Sequence, residues 1–276
     1  MNLRGKTAIV TGGAAGIGLA TATRLVRAGS RVTLWDLNVE GLEAAAAELR
    51  SVSGENAVFV HRCDVTDTDR VQALVDQALE EMGGIDILVN NAGHVAPGDF
   101  LDQPASVWKT TVRVNFEAII SVTHAVLPHL YKRGSGHVVN VSSAAGLVGV
   151  PGLAVYSATK WAVWGLTEAL REEAKNAGKP GVRFSSIHPN YVAHGMFEGA
   201  RMTGLGGVFF PILPDHDVVA KAIVESALKR GRRCPKRPRS LRTAVLLRGL
   251  LPDAWFAGIS RALSVHASMN TWRGRS

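Results

Sequence analysis

The sequence predicts an α/β fold, a doubly wound parallel sheet with helices on both faces, and three observations carry that prediction. Short β-branched runs alternate with amphipathic stretches of helical length. The chain has 276 residues, 46% hydrophobic and 20% charged, enough to bury one large core. A glycine-rich turn closes the first run and opens the first helical stretch. Strands alternating with helices are joined by right-handed crossovers, which cover both faces of a parallel sheet.

The strand-like runs fall at 7–10, 31–35, 57–61, 85–89, 137–141 and 183–187. Helix punctuation lies between them. Thr66 and Asp67 stand ahead of a helical stretch at 71–82, Gly83 and Gly84 follow it, and Pro104 opens a helix running towards Pro128. Ligands of such sheets lie at the carboxyl ends of the strands, near the point where the winding reverses. Function is therefore expected in the loops that follow the strands.

Composition narrows the classes. Cys63 and Cys234 lie far apart without CxxC or Cys/His spacing, so neither a disulfide framework nor a zinc site is indicated. No apolar run reaches the roughly 20 residues needed to cross a bilayer, and residues 1–6 carry no signal-peptide core. A cytoplasmic protein is the expectation. The net charge of +8 is uneven: residues 230–276 hold 11 Lys/Arg against the single acid Asp253, whereas residues 1–229 hold 20 basic and 22 acidic residues. The expected organisation is a catalytic domain over 1–235 and a basic, helical C-terminal extension over 236–276.

Thr11-Gly12-Gly13-Ala14-Ala15-Gly16-Ile17-Gly18 follows the first strand and opens a helix. Glycines let the backbone approach a pyrophosphate, and the helix offers free N–H groups and the positive end of its dipole. A tight strand-to-helix connection alone would use the same glycines. Asp36 ends the second strand, 18 residues beyond Gly18, close to the spacing at which an acid accepts the adenosine ribose 2′-hydroxyl. A carboxylate there repels a 2′-phosphate, and no Lys or Arg lies in 12–18, so NAD(H) is expected over NADP(H).

Tyr156 and Lys160 stand four apart at the start of a helical stretch and so share a face. A phenol titrates near pH 10, too high for proton exchange at neutral pH, and a neighbouring ammonium favours the phenolate. Ser143 ends the fifth strand, where its hydroxyl would hold a substrate oxygen. A Tyr–Lys pair alone is common on solvated helices; behind a dinucleotide site it is specific.

With Asp64-Val65, Asn90-Asn91-Ala92-Gly93 and Asn115 added, the chain resembles the short-chain dehydrogenase/reductase family over about residues 5–195. The resemblance implies a Rossmann-type sheet of about seven strands and a role for each residue. Asp64 and Val65 would meet the adenine, and Asn91, Ala92 and Gly93 would pack beside the adenosine. Asn115 would hold a proton-relay water. Ser143 would orient the substrate oxygen, Tyr156 would exchange the proton, and Lys160 would also bind the nicotinamide ribose. It further implies a homodimer or homotetramer built through the helices at 104–130 and 154–176.

Two departures stand out. The family's Pro-Gly-x-Val-x-Thr reads here Pro189-Asn190-Tyr191-Val192-Ala193-His194. Pro189 and Val192 keep their places at the nicotinamide, Asn190 is a residue that tolerates positive φ, and His194 replaces the threonine that would bond the carboxamide. His194 either donates one hydrogen bond there or turns aside.

The loops at 94–101, 144–154 and 191–214 are apolar and glycine-rich, suiting a lipophilic alcohol or ketone such as a steroid, retinoid or long-chain alcohol. The stretch 199–210 reads as a mobile lid or as ordinary packing. The basic residues of 230–239 precede an amphipathic run at 241–251, which suits either peripheral contact with anionic lipid or packing on the domain. A nucleic-acid role is not supported, since the aromatic pattern of a single-strand binder is missing. The competing functional class is a dinucleotide-binding redox sensor or scaffold without turnover; the intact Ser143, Tyr156 and Lys160 favour an enzyme.

Overall fold

The computed structural model describes residues 1–269 and 272, so Arg273 and Arg275 of the basic tail lie outside the described residues. β1 (Thr7–Thr11), β2 (Arg31–Asp36), β3 (Val58–Arg62), β4 (Ile87–Asn90), β5 (Gly136–Val141), β6 (Val182–Pro189) and β7 (Lys236–Arg237) form one parallel sheet in the order β3-β2-β1-β4-β5-β6-β7. The winding reverses between β1 and β4. Both strands are buried throughout, as a strand covered by helices on both faces must be.

The helices follow the local signals. α1 (Gly16–Arg27) starts in the glycine turn. α2 (Val39–Ser53) is capped by Asn38, which accepts the N–H of Gly41, and α3 (Thr68–Met82) by Asp67, which accepts that of Arg70. α3 ends on Gly83 in the left-handed conformation, one of the positions where glycine's freedom is used. One apolar layer lies under α1 and α2 with Leu25, Leu34, Leu42 and Ile87, the other under α3 and the later helices with Trp35, Leu74, Leu88 and Phe184.

α4 (Ala105–Val112) and α5 (Ala118–Arg133) are joined by a π-helical turn over Arg113–Glu117. Pro128 lies inside α5, which continues to Arg133 instead of stopping. α6 (Ala154–Asn176) covers β5 and β6. Beyond β6, α7 (Gly204–Phe209) and α8 (Asp217–Lys221) fill the loop, and α8 runs on through a π-helical stretch to Lys229.

The seventh strand lies in the Arg/Lys/Pro-dense segment. Ser186, His188 and Asn190 donate their N–H groups to the carbonyls of Arg233, Pro235 and Arg237. The sheet thus runs two residues past position 235, and an edge strand is where a proline-flanked segment can pair. α9 (Leu241–Leu250) and α10 (Asp253–Ala262) follow. Leu241, Ala244 and Phe256 are buried, while Leu246 (61%), Leu250 (71%) and Trp255 (69%) are exposed. The amphipathic run therefore packs one apolar side on the domain and leaves another outward. No helix among the described residues is long and apolar enough to cross a membrane.

Candidate active site

The glycine turn is shaped by contacts that side chains would block. Gly12 and Gly16 have φ of +63° and +59°, and a Cβ on Gly18 would stand 2.0 Å from the Gly12 carbonyl oxygen. α1 starts without a side-chain cap, so its leading N–H groups remain available beside Ile17. Thr11 fastens this turn across the switch point: its hydroxyl accepts the N–H groups of Asn91 and Ala92, both at 3.0 Å. The Asn91 amide donates in return to the carbonyls of Thr11 and Gly12, both at 3.0 Å. A diphosphate fits these donors, so the residues present suit a dinucleotide.

Asp36 accepts the Ala14 N–H at 3.1 Å and the Asn38 N–H at 3.0 Å, one on each oxygen, which leaves lone pairs for a ribose hydroxyl. Arg62, which sequence spacing does not bring near, is the register partner of Asp36 on β3 and is exposed. A cation therefore does stand beside the acid, where the sequence alone suggested none. Asp64, next in line, closes a turn by accepting the N–H and hydroxyl of Thr66, and Val65 is buried beneath it.

At the carboxyl ends of β4 and β5 the polar residues converge. Asn115 sits in the π-helical turn, fully buried, accepting the His94 N–H at 2.7 Å and donating to the His94 carbonyl at 2.8 Å. Such turns recur at functional sites because they re-aim one side chain within a helix. A Cβ on Gly93 would stand 3.4 Å from the Asn115 amide oxygen and 3.8 Å from Lys160 Nζ, so Gly93 separates the two. Lys160 Nζ donates to the Val141 carbonyl at 3.0 Å and lies 5.6 Å from the centre of the Tyr156 ring. The α6 backbone is drawn close by Ser142, whose hydroxyl donates to the Lys160 carbonyl at 2.8 Å. Ser143 caps the following turn by accepting the Ala145 N–H at 3.1 Å.

Burial governs the titration of this cluster. It pushes the Tyr156 phenol well above its usual range, with the Tyr191 phenol adding to the rise and the Ser143 hydroxyl opposing it. Burial also brings the Lys160 ammonium down to about 8. The sequence expectation that Lys160 lowers the phenol is not met in this arrangement: the ammonium is turned onto a carbonyl and desolvation dominates. His188, buried on β6, meets the Ser143 carbonyl through Nδ1 at 3.2 Å and the Ser186 hydroxyl through Nε2 at 3.0 Å. Its burial, with the Lys236 charge next, brings it down to about 3.

After β6 the departures from the family pattern resolve differently. Asn190 takes no positive φ; its amide instead donates to the carbonyls of Phe210 at 2.9 Å and Pro211 at 3.2 Å, tying the 191–214 loop to the sheet. Pro189 pairs with Arg237, and Val192 is buried and bridges to Leu213. His194 is exposed at the start of the loop that follows β6.

An apolar cover lies over Tyr156 that the sequence does not announce. Phe197 meets the Tyr156 ring edge-on at 5.6 Å and leans on Tyr191 at 5.2 Å. Met202, Met269 and Trp272 join them. The chain end straps this cover down: Tyr191 and Ser268 share a hydroxyl contact at 3.0 Å, Arg201 N–H donates to the Ser268 carbonyl, and Trp272 donates to the Met196 carbonyl at 3.1 Å. His216, ahead of α8, places its ring 3.5 Å from where a Cβ on Gly16 would stand and 3.4 Å from one on Gly195. These contacts join residues distant in sequence, and only the apolar loop composition hinted at the cover.

Comparison with known proteins agrees with this geometry. A family profile described as short chain dehydrogenase matches residues 6–203. Epidermal retinol dehydrogenase 2 of Homo sapiens is 35% identical over 251 residues, covering 91% of this chain and 80% of that protein. A short chain dehydrogenase/reductase from Burkholderia phymatum in complex with NAD superposes with a TM-score of 0.79 at 28% identity, covering 91% of this chain and 95% of that one. An alcohol dehydrogenase from the archaeon Thermococcus sibiricus complexed with 5-hydroxy-NADP gives 0.71 at 26%, covering 84% and 94%.

Proposed function

The chain belongs to the short-chain dehydrogenase family of oxidoreductases, and from that premise we propose that it transfers hydride between NAD(H) and a lipophilic alcohol or ketone of the steroid, retinoid or long-chain type. One observation carries the reading: Tyr156, Lys160 and Ser143 meet at the carboxyl end of β5, beside the glycine turn and under an apolar cover.

Bound NAD(H) supplies the hydride acceptor or donor. Gly12, Gly16, Ile17 and Gly18 with the start of α1 would hold its diphosphate, and Asp36 its adenosine ribose. Asp64, Val65, Asn91, Ala92 and Gly93 would line the adenosine, while Lys160, Pro189 and Val192 would face the nicotinamide half. Exposed His194 would offer one hydrogen bond to the carboxamide in place of the family's threonine.

Ser143 holds the substrate oxygen and Tyr156 exchanges its proton. A buried phenol keeps its proton at neutral pH, the form needed as an acid for carbonyl reduction. Alcohol oxidation needs the proton drawn off, so it speeds up as the pH rises while reduction does not. Lys160 and the Asn115 turn orient the phenol and the relay behind it. Preference for NAD(H) rests on the Asp36 carboxylate, which accepts a ribose 2′-hydroxyl and repels a 2′-phosphate, with Arg62 in register as the opposing charge.

Leu246, Leu250 and Trp255 of the extension and Leu205, Val208 and Phe209 of α7 are exposed apolar side chains, and exposed Arg242 stands one turn before Leu246 on α9. That pairing favours peripheral residence on an anionic intracellular membrane, from which a lipophilic substrate would enter. Substituting Leu246, Leu250 and Trp255 with Gln should release the protein from anionic vesicles; unchanged co-sedimentation refutes the membrane contact. Arg248 stacks on Trp161 of α6 at 4.7 Å, so the extension covers part of the face that a homo-oligomer would use, leaving Trp108 and Ile120 of α4 and α5 for self-association.

The test of the reaction is reduction of NAD⁺ and, in parallel, NADP⁺, across retinol, steroids and long-chain alcohols. Turnover of one lipophilic class with NAD⁺ preferred is expected. Preference for NADP⁺ overturns the role given to Asp36, and inactivity on every alcohol with NADH binding intact favours a redox sensor.

A further inference from the structure

At the opposite end of the sheet, where β5 and β6 begin, lies a cleft of about 290 Å³. Its walls carry Arg171 of α6, Arg183 of β6, and Arg230 and Arg233 of the turn that leads to β7. Among the described residues no carboxylate lines it, the nearby acids Glu168 and Glu172 lying outside the wall. Among the described residues none of these four guanidinium groups is in an ion pair, whereas Lys175 at the rim is already bound to Glu172 at 2.6 Å.

Two polar atoms in the wall lack partners. Arg171 donates through Nε to the Phe184 carbonyl at 3.3 Å, but its Nη2 is buried without a hydrogen bond. His137, at the start of β5, meets the Ser185 hydroxyl through Nε2 at 2.9 Å, and its buried Nδ1 has no partner either. A buried donor left unmade costs on the order of 1–3 kcal/mol, and gathering like charges adds to that cost. Folding does not require the arrangement. The neighbouring turn could carry any polar residue, since Arg230 is exposed.

An anion would meet the open Arg171 Nη2 donor and offset the repulsion among the guanidinium groups, while His137, whose Nε2 donates to a Ser185 hydroxyl already committed to the Arg232 carbonyl, keeps Nδ1 as a bare acceptor. Guanidinium groups present paired N–H donors that match the oxygens of phosphate, and several around one concavity favour a multiply charged group over a single carboxylate. The field of Arg183 acts on His137 and that of Arg233 on Arg171, where Glu168 and Glu172 oppose it. We propose that the cleft at the amino ends of β5 and β6 binds a phosphate-bearing anion through Arg171, Arg183, Arg230 and Arg233. The site is separate from the glycine turn, which lies at the carboxyl ends of the strands, and it does not depend on the reaction assigned to Tyr156.

Calorimetric titration of the full chain with inorganic pyrophosphate at constant ionic strength tests the site. Arg183→Gln and Arg233→Gln should each weaken binding more than tenfold, Arg233→Lys should retain part of it, and Arg261→Gln, outside the cleft, should leave it unchanged. Arg230→Gln, exposed like Arg183 and Arg233, gives the same reading if either of those variants fails to fold. A second arm compares vesicles of phosphatidylcholine with vesicles that also contain phosphatidylserine. Heat with pyrophosphate that the cleft variants lose identifies a free phosphate compound; vesicle binding that they lose, without pyrophosphate heat, identifies a lipid headgroup. No binding in either arm, or binding that the cleft variants leave intact, overturns the proposal, and intact heat then belongs to the glycine turn.

Discussion

At the carboxyl ends of the strands, each buried polar group of the catalytic cluster has a partner within the protein: Lys160 with the Val141 carbonyl, Asn115 with both backbone groups of His94, and Ser143 with the Ala145 N–H. The amino ends differ between themselves. Under β1 and β4, buried Asp86 accepts from Lys6 Nζ at 2.9 Å, from the Thr7 N–H and hydroxyl at 3.1 Å, and lies 3.2 Å from Arg133. Under β5 and β6, four arginines line a cleft with no ion pair of their own among the described residues, Glu172 near the rim being held by Lys175. One sheet thus satisfies its polar groups internally at two of these places and leaves the third open. Internal satisfaction holds a geometry; open charge of one sign selects a ligand.

The largest effect that would sharpen this comparison is acid sensitivity, which both ends share. His137 at the amino end and His188 at the carboxyl end are each brought down to about 3, mainly by burial, from an ordinary value of 6.5. Between these values the unfolded chain binds more protons than the folded one, so stability rises with pH and is lost on acidification. The slope should be about 1 kcal/mol per pH unit for each histidine, read from urea unfolding at stepped pH. His137→Gln and His188→Gln should each flatten the curve between about pH 3 and 6.5, but only His188→Gln should also lower kcat, because only His188 touches the Ser143 backbone. Equal kcat losses would break the distinction between the two ends.

Next in size is the internally neutralised corner. Asp86→Asn should destabilise by about 2 kcal/mol, less than a fully buried pair would, since Lys6 and Arg133 are partly solvated. Arg183→Gln in the cleft should change stability little or raise it, because it removes repulsion. A comparable loss at both positions, measured by thermal unfolding, would mean that the cleft arginines support the fold rather than a ligand.

The smallest expected effect concerns cofactor choice. Asp36→Ser should shift the ratio of kcat/KM for NADP⁺ over NAD⁺ upward by about tenfold, close to 1.4 kcal/mol. Arg62→Ala on that background should remove the gain, because Arg62 is the cation in register with position 36. A gain that survives without Arg62 would show that repulsion by the acid alone sets the preference.

Legibility followed the range of the interactions. The glycine turn, Asp36 at the end of β2 and the Tyr156–Lys160 pair are local patterns, and each lies where its spacing placed it. The helix that the family resemblance implies at 154–176 has those ends in α6. The two-residue β7 was hidden because its residues carry no β-propensity and pair only as an edge. The π-helical turn at Asn115 has no composition of its own. The pairing of Arg62 with Asp36, the strap of Ser268 and Trp272 over Tyr191, and the gathering of Arg171, Arg183 and Arg233 all join segments that only the folded sheet brings together. The tolerance of Asn190 for positive φ goes unused, and its amide instead clamps Phe210 and Pro211.

The central claim is that the buried phenol of Tyr156 exchanges the proton during hydride transfer, and Tyr156→Phe tests it most directly. The ring should keep its edge-on contact with Phe197 and its place in the apolar cover, so the fold and NADH binding should persist. Turnover of the best alcohol from the substrate panel, followed at the nicotinamide absorbance, should fall by about a thousandfold, within the range attributed to a positioned acid/base. Undiminished turnover, with NADH bound as in the unaltered protein, would contradict the mechanism.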